Sequence, residues 1–82
     1  MRPEEFKQLL RRQPFIPIRV HVSGGKTYDI YHPDNIIVLQ SRIDIGVGGD
    51  PSTGVVGAVE YVSLLHLVRV EDLPSASPPV VV

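Results

Sequence analysis

The chain has 82 residues, a formal net charge of -1 and no cysteine. That length supports one domain, and a domain this small buries only about 60 to 65% of the surface its unfolded chain exposes. The composition excludes disulfide staples, thiolate metal sites and thiol catalysis, and the charge excludes a global attraction to nucleic acid or anionic lipid.

The N-terminal segment MRPEEFKQLLRR predicts a helix from Pro3 to about Arg12. Pro3 suits the first helical position, Glu4 and Glu5 the positive end of the helix dipole, and Arg11 and Arg12 the other end. Its apolar residues Phe6, Leu9 and Leu10 form one narrow stripe, so the helix must dock to persist in water. Pro14 ends it, because the residue before a proline is pushed out of the helical region. This N-terminus has no hydrophobic signal core and no apolar run reaches membrane-span length, so a cytoplasmic location is expected.

From Phe15 to Val22 the residues alternate. Ile16, Ile18, Val20 and Val22 define a core face, and Phe15, Pro17, Arg19 and His21 an outer face. The second strand must place Tyr28 and Ile30 on that same core face. A two-residue Gly24-Gly25 loop would set Asp29 against the core. A three-residue loop, Ser23-Gly24-Gly25 with Gly25 left-handed, pairs Val20 with Tyr28, Ile18 with Ile30 and Arg19 with Asp29, and is the expected register. The Arg19–Asp29 pair then steers strand pairing more than it stabilises.

His32-Pro33-Asp34 is a turn. Ile36 to Leu39 is apolar at every position, as in a strand covered on both sides, and Arg42 to Val47 alternates as a further strand. Residues 46–58, crowded with glycine, read as a flexible loop that is no phosphate cradle, since no GK[ST] and helix follow. Val59 to Val62 resumes strand character. Ser63 caps a short bend in which the His66 ring partly packs, and the closing strand Leu67 to Glu71 sets Val68 and Val70 on the core face. The domain is expected to end at residue 73, with 74–82 a disordered tail ending in valines.

The three histidines, His21, His32 and His66, lack ligand spacing, and Ser63 with His66 lacks an oxyanion-hole turn, so no catalytic, cofactor or metal residue is assigned. Five of the eight basic residues fall within the first nineteen positions, whereas most acids follow Arg19. The interaction surface expected from exposure and charge comprises Arg11, Arg12, Arg19, His21, Tyr31, Val47 and Val59.

PFIPIRVHVSGGKTYDIYHPD, followed by SLLHLVRVE, resembles a group of short uncharacterised bacterial proteins with the pattern P-F-x-P, H-P-D/E and H-L-x-R-V-E. That resemblance implies a shared family and brings no activity with it. The order of helix, curved strands, variable loop and interrupted last strand is similar to the Sm-like barrel, whose members form rings and bind RNA. Here Asp29 and Ile30 stand where that family usually carries a glycine.

The expected fold is therefore α+β, an N-terminal helix packed on a strongly bent antiparallel sheet or small SH3/Sm-like barrel of about five strands. Its core is drawn from Phe6, Leu9, Leu10, Ile16, Ile18, Val20, Tyr28, Ile30, Ile36, Val38, Ile43, Ile45, Val62, Leu64, Val68 and Val70. The expected function is a non-enzymatic binding or self-assembly module, homo-oligomeric through strand edges, with weak or no nucleic-acid binding. An Sm-like RNA-binding protein and a small-ligand or metal-dependent enzyme are the alternatives.

Overall fold

The computed structural model describes residues 1–50 and 52–74. Helix α1 (Pro3–Leu10) precedes six strands: β1 (Ile18–Val22), β2 (Thr27–Ile30), β3 (Ile36–Val38), β4 (Arg42–Val47), β5 (Ala58–Ser63) and β6 (Leu67–Asp72). They form two three-stranded antiparallel sheets, ordered β2-β1-β6 and β3-β4-β5. The chain passes between sheets at two corners, the 3-10 turns Pro33–Asn35 and Leu64–His66. The fold is α+β as expected, with six strands in place of about five. From Ser75 onward, the expected disordered tail lies outside the described residues.

The helix stops at Leu10 and not at Arg12, because the Arg11 N–H is shared by the carbonyls of Lys7 and Gln8 and the turn tightens. At the other end the Arg2 N–H donates to Glu5 Oε1 at 3.0 Å. The helix buries Phe6 and Leu10, whereas Leu9 is only half-buried. β1 begins three residues later than the alternation predicts. The Gln13–Pro14 peptide is cis, and Phe15 packs against the core instead of facing outward.

The hairpin register is the expected one: Ile18 faces Ile30, Arg19 faces Asp29 and Val20 faces Tyr28. The loop spans three residues, with the Val22 N–H donating to the Lys26 carbonyl at 3.0 Å and both Gly24 and Gly25 at φ 90°. Only glycine takes that pair of angles without strain.

Ile18, Val20, Ile30, Ile36, Ile43, Ile45, Val62 and Leu64 meet Phe6 and Leu10 in one buried cluster. Ile16, expected in the core, is half-buried and lies outside this cluster, because β1 begins only at Ile18. Two further expectations of burial fail. Ile37 is exposed, since β3 alternates and only Ile36 and Val38 face inward. Val68 is exposed as well, because β6 carries a bulge: His21 faces Arg69 but Val22 faces Leu67, leaving Val68 as the extra residue. Leu67 takes the inward place before the bulge and Val70 the one after it.

The glycine-rich segment is hydrogen-bonded over its described residues. The Asp50 N–H donates to the Val55 carbonyl at 2.9 Å, the Gly57 N–H donates to the Val47 carbonyl, and Asp50 Oδ1 accepts from the N–H and hydroxyl of Ser52. It is the closed end of the β4–β5 hairpin, an Asx turn in form.

Candidate interaction surface

The two sheets present opposite chemistry to solvent. On the outer face of the first, Arg19 makes a two-pronged contact with Asp29 at 2.7 and 3.0 Å, His21 Nε2 lies 2.7 Å from Glu71, and Arg69 reaches Glu71 at 3.7 Å. These partners alternate in sign across three strands, so the face carries charge but little unpaired charge. The arginine hydrogen bond holds the Asp29 carboxyl below the usual carboxylate range, and the His21 hydrogen bond does the same for Glu71.

On the outer face of the second sheet Ile37, Asp44 and Tyr61 lie in one row and Gly46 and Val59 in the next. Arg42 stacks on the Tyr61 ring, its guanidinium carbon 4.3 Å from the centroid, while its Nε donates to Asp44 at 2.9 Å. Exposed apolar side chains continue from this face around the Leu64–His66 corner. Val59 is 52% exposed, Tyr61 67%, Leu65 92% and Val68 64%. Ser63 caps that corner by accepting from the Leu65 N–H at 3.2 Å, as expected. The cap holds Leu65 on the outside of the turn. The His66 ring is exposed rather than packed, because it is the carbonyl of His66 that is tied down, by the Ser23 N–H at 2.9 Å.

β5 and β6 are each the last strand of their sheet. The Leu64 N–H bonds to the Ser41 carbonyl, which sets the alternation of the β4–β5 ladder and turns the backbone groups of Val59 and Tyr61 away from β4. On β6 the Leu73 N–H donates to the Pro17 carbonyl, and the same alternation turns Val70 and Asp72 away from β1, up to the bulge at Val68. β4 is paired on both sides, by β3 and by β5, and offers no edge.

A groove of about 390 Å³ separates β2 from the β4–β5 hairpin end, between Thr27, Asp29, Tyr31, Gly46, Val47 and Val55 among others. A second hollow, of about 420 Å³, lies between α1 and the β3–β4 turn, beside Lys7, Arg11 and Leu39.

The seven residues expected to form one surface do not converge. Arg12 ties the chain after the helix to β6, donating to both Asp72 carboxylate oxygens at 3.1 and 2.9 Å and to the Ile16 carbonyl. Arg19 and His21 are held in the charged face just described. Val47 is half-buried and packs against the core; with Tyr31 it lines the groove. Arg11 lies at the second hollow, and Val59 alone belongs to the apolar stretch on β5. Sequence reasoning missed Leu65 and Val68. The SLLH capping pattern contains the signal for Leu65, since a capped single turn cannot bury two consecutive leucines.

Among the described residues no group of three or more His, Cys, Asp or Glu side chains is placed to hold a metal ion, and no helix is long and apolar enough to cross a membrane. No family model, curated protein or solved structure matches the chain.

Proposed function

We propose that the protein is a non-enzymatic self-assembly module in which the β5 edge of one copy pairs with the β6 edge of the next. One observation carries this reading: four exposed apolar side chains, Val59, Tyr61, Leu65 and Val68, line the two free edges and the corner joining them. Removing a leucine such as Leu65 from water is worth about 1.5 to 3 kcal/mol. Edge amides supply the direction and register of such a contact. Because β5 and β6 are different surfaces, the contact is head-to-tail, and copies close into a ring or continue as a filament. The order of elements, with a 3-10 corner before the last strand, supports the resemblance to Sm-like barrels.

RNA binding is the weaker reading. Arg12 and Arg19, two of the basic residues that would favour it, already face carboxylates. Tyr61, the aromatic best exposed for stacking on a base, is covered on one side by Arg42.

Light scattering on the native chain and on Leu65→Asp tests the proposal. The native protein should show a mass above one chain at tens of micromolar, and Leu65→Asp should reduce it to one chain with its circular dichroism unchanged. A native protein that is monomeric throughout that range overturns the reading. Sub-micromolar binding to uridine-rich or adenine-rich RNA at physiological salt, lost in Arg11→Glu/Arg12→Glu, puts RNA binding in its place.

A further inference from the structure

Six of the eight lysines and arginines lie within 3.7 Å of a carboxylate: Arg2, Arg12, Arg19, Lys26, Arg42 and Arg69. Lys7 and Arg11 are the other two, and neither has a carboxylate partner among the described residues. Both line the hollow of about 420 Å³ between α1 and the β3–β4 turn. One helical turn separates them and both are exposed, so their Cβ atoms lie about 6 Å apart along one wall. The acid in the hollow, Glu4, already faces Arg2 at 3.5 Å, and the glutamines there, Gln8 and Gln40, carry no charge. The other wall holds Val38 and Leu39, the latter 38% exposed. β3 is an edge strand, and the Leu39 N–H donates to the Arg42 carbonyl at 2.9 Å. The alternation set by that bond turns the N–H and carbonyl of Val38 away from β4.

We propose that this hollow binds an acidic peptide of a partner protein in extended form, with two carboxylates flanking one apolar residue. In an extended chain alternate side chains lie about 7 Å apart on one side, which matches the spacing of Lys7 and Arg11. The residue between them points the other way, toward Val38 and Leu39. Two carboxylates thereby meet the two unmatched cations, the apolar side chain covers Leu39, and the backbone groups of Val38 give the peptide a direction. A nucleic-acid backbone fits less well, because it sets phosphates beside Glu4 and leaves Leu39 uncovered. β3 and β5 are opposite edges of the second sheet, so the hollow stays open in the assembly proposed above and its binding does not depend on that assembly.

A titration of the full chain followed by amide NMR tests this. The probe is an end-capped heptapeptide with glutamate, leucine and glutamate at its centre and glycine and serine on either side. It should bind the native protein with a Kd below about 1 mM and shift the signals of Lys7, Arg11, Val38 and Leu39. Lys7→Gln/Arg11→Gln, which adds no acid to the end of the helix, should bind at least about fivefold more weakly. Raising the salt to about 0.5 M should weaken native binding by a similar factor. Arg69→Gln, which alters a paired cation on β6, should bind as the native protein does. So should Leu65→Asp, which separates this site from self-assembly. No binding at about 5 mM peptide overturns the proposal, as does equal binding by a peptide whose two glutamates are adjacent. Tighter binding of oligouridylate with shifts at the same four residues overturns it too, by making the hollow a nucleic-acid site.

Discussion

The Tyr28 hydroxyl donates to Glu60 Oε1 at 2.6 Å, joining β2 in the first sheet to β5 in the second. Lys26 Nζ reaches the same oxygen at 2.7 Å and sits 5.1 Å from the Tyr28 ring centroid. Two strands of different sheets, far apart in the chain, thus converge on one carboxylate.

The ionised form of Glu60 is the one that accepts both bonds, and its carboxyl is held below the usual range by the Lys26 hydrogen bond first and the Tyr28 hydrogen bond second. Asp29, Glu71 and Asp72 are lowered by Arg19, His21 and Arg12 in the same sense. A carboxyl with a depressed folded pKa contributes stability that is present above its unfolded pKa and lost as pH falls through the folded one. The melting temperature should therefore be flat from neutral pH to about 5, then fall below about pH 4. Glu60→Gln should make that fall shallower. A melting temperature independent of pH down to about 2 would show that these carboxylates do not stabilise the fold.

How much of this was legible depends on whether the determining contacts are local. The hairpin register follows from alternation and two glycines, all within thirteen residues, and the structure agrees with it residue for residue. β6 was not legible to the same degree. Leu67-Val68-Arg69-Val70 alternates well enough to put Val68 inside, and only pairing with Val22 and His21, over forty positions away in the chain, inserts the bulge that turns it outward. The interaction surface failed for a similar reason. Exposure and charge can be read along a chain, but the partners that occupy Arg12 and Arg19 lie on other strands. The groove is walled partly by backbone, which leaves no pattern in residue types.

The helix is anchored by Phe6 and Leu10, with Leu9 in a lesser role than its place in the apolar stripe predicts. Leu10→Ala should cost about 2 to 4 kcal/mol, as deletion of a buried leucine side chain does. Leu9→Ala should cost clearly less. Denaturant titration of both variants checks the order, and a larger loss for Leu9→Ala would mean that the helix docks on its other side.

Gly48 and Gly49 both have positive φ, 66° and 80°, but only Gly49 lies against other atoms: a Cβ there would run into the Val55 carbonyl and the Val56 Cα. Gly48→Ala should cost about 1 kcal/mol from the left-handed conformation alone. Gly49→Ala should cost about 2 kcal/mol more, because the hairpin end must open to admit the methyl group. Equal melting temperatures for the two variants would show that the hairpin end is not closed as described.

Pairing between copies would bury the outward amides of the β5 and β6 edges. Its most direct test is amide exchange at Val59, Tyr61, Val70 and Asp72 as the protein is concentrated from about 1 to about 100 µM, since association protects only the groups it buries. These four N–H groups should become protected together over the range in which the mass in solution rises, and Leu65→Asp should abolish both effects. Exchange at these four positions that stays fast at every concentration, with or without a rise in mass, would contradict it.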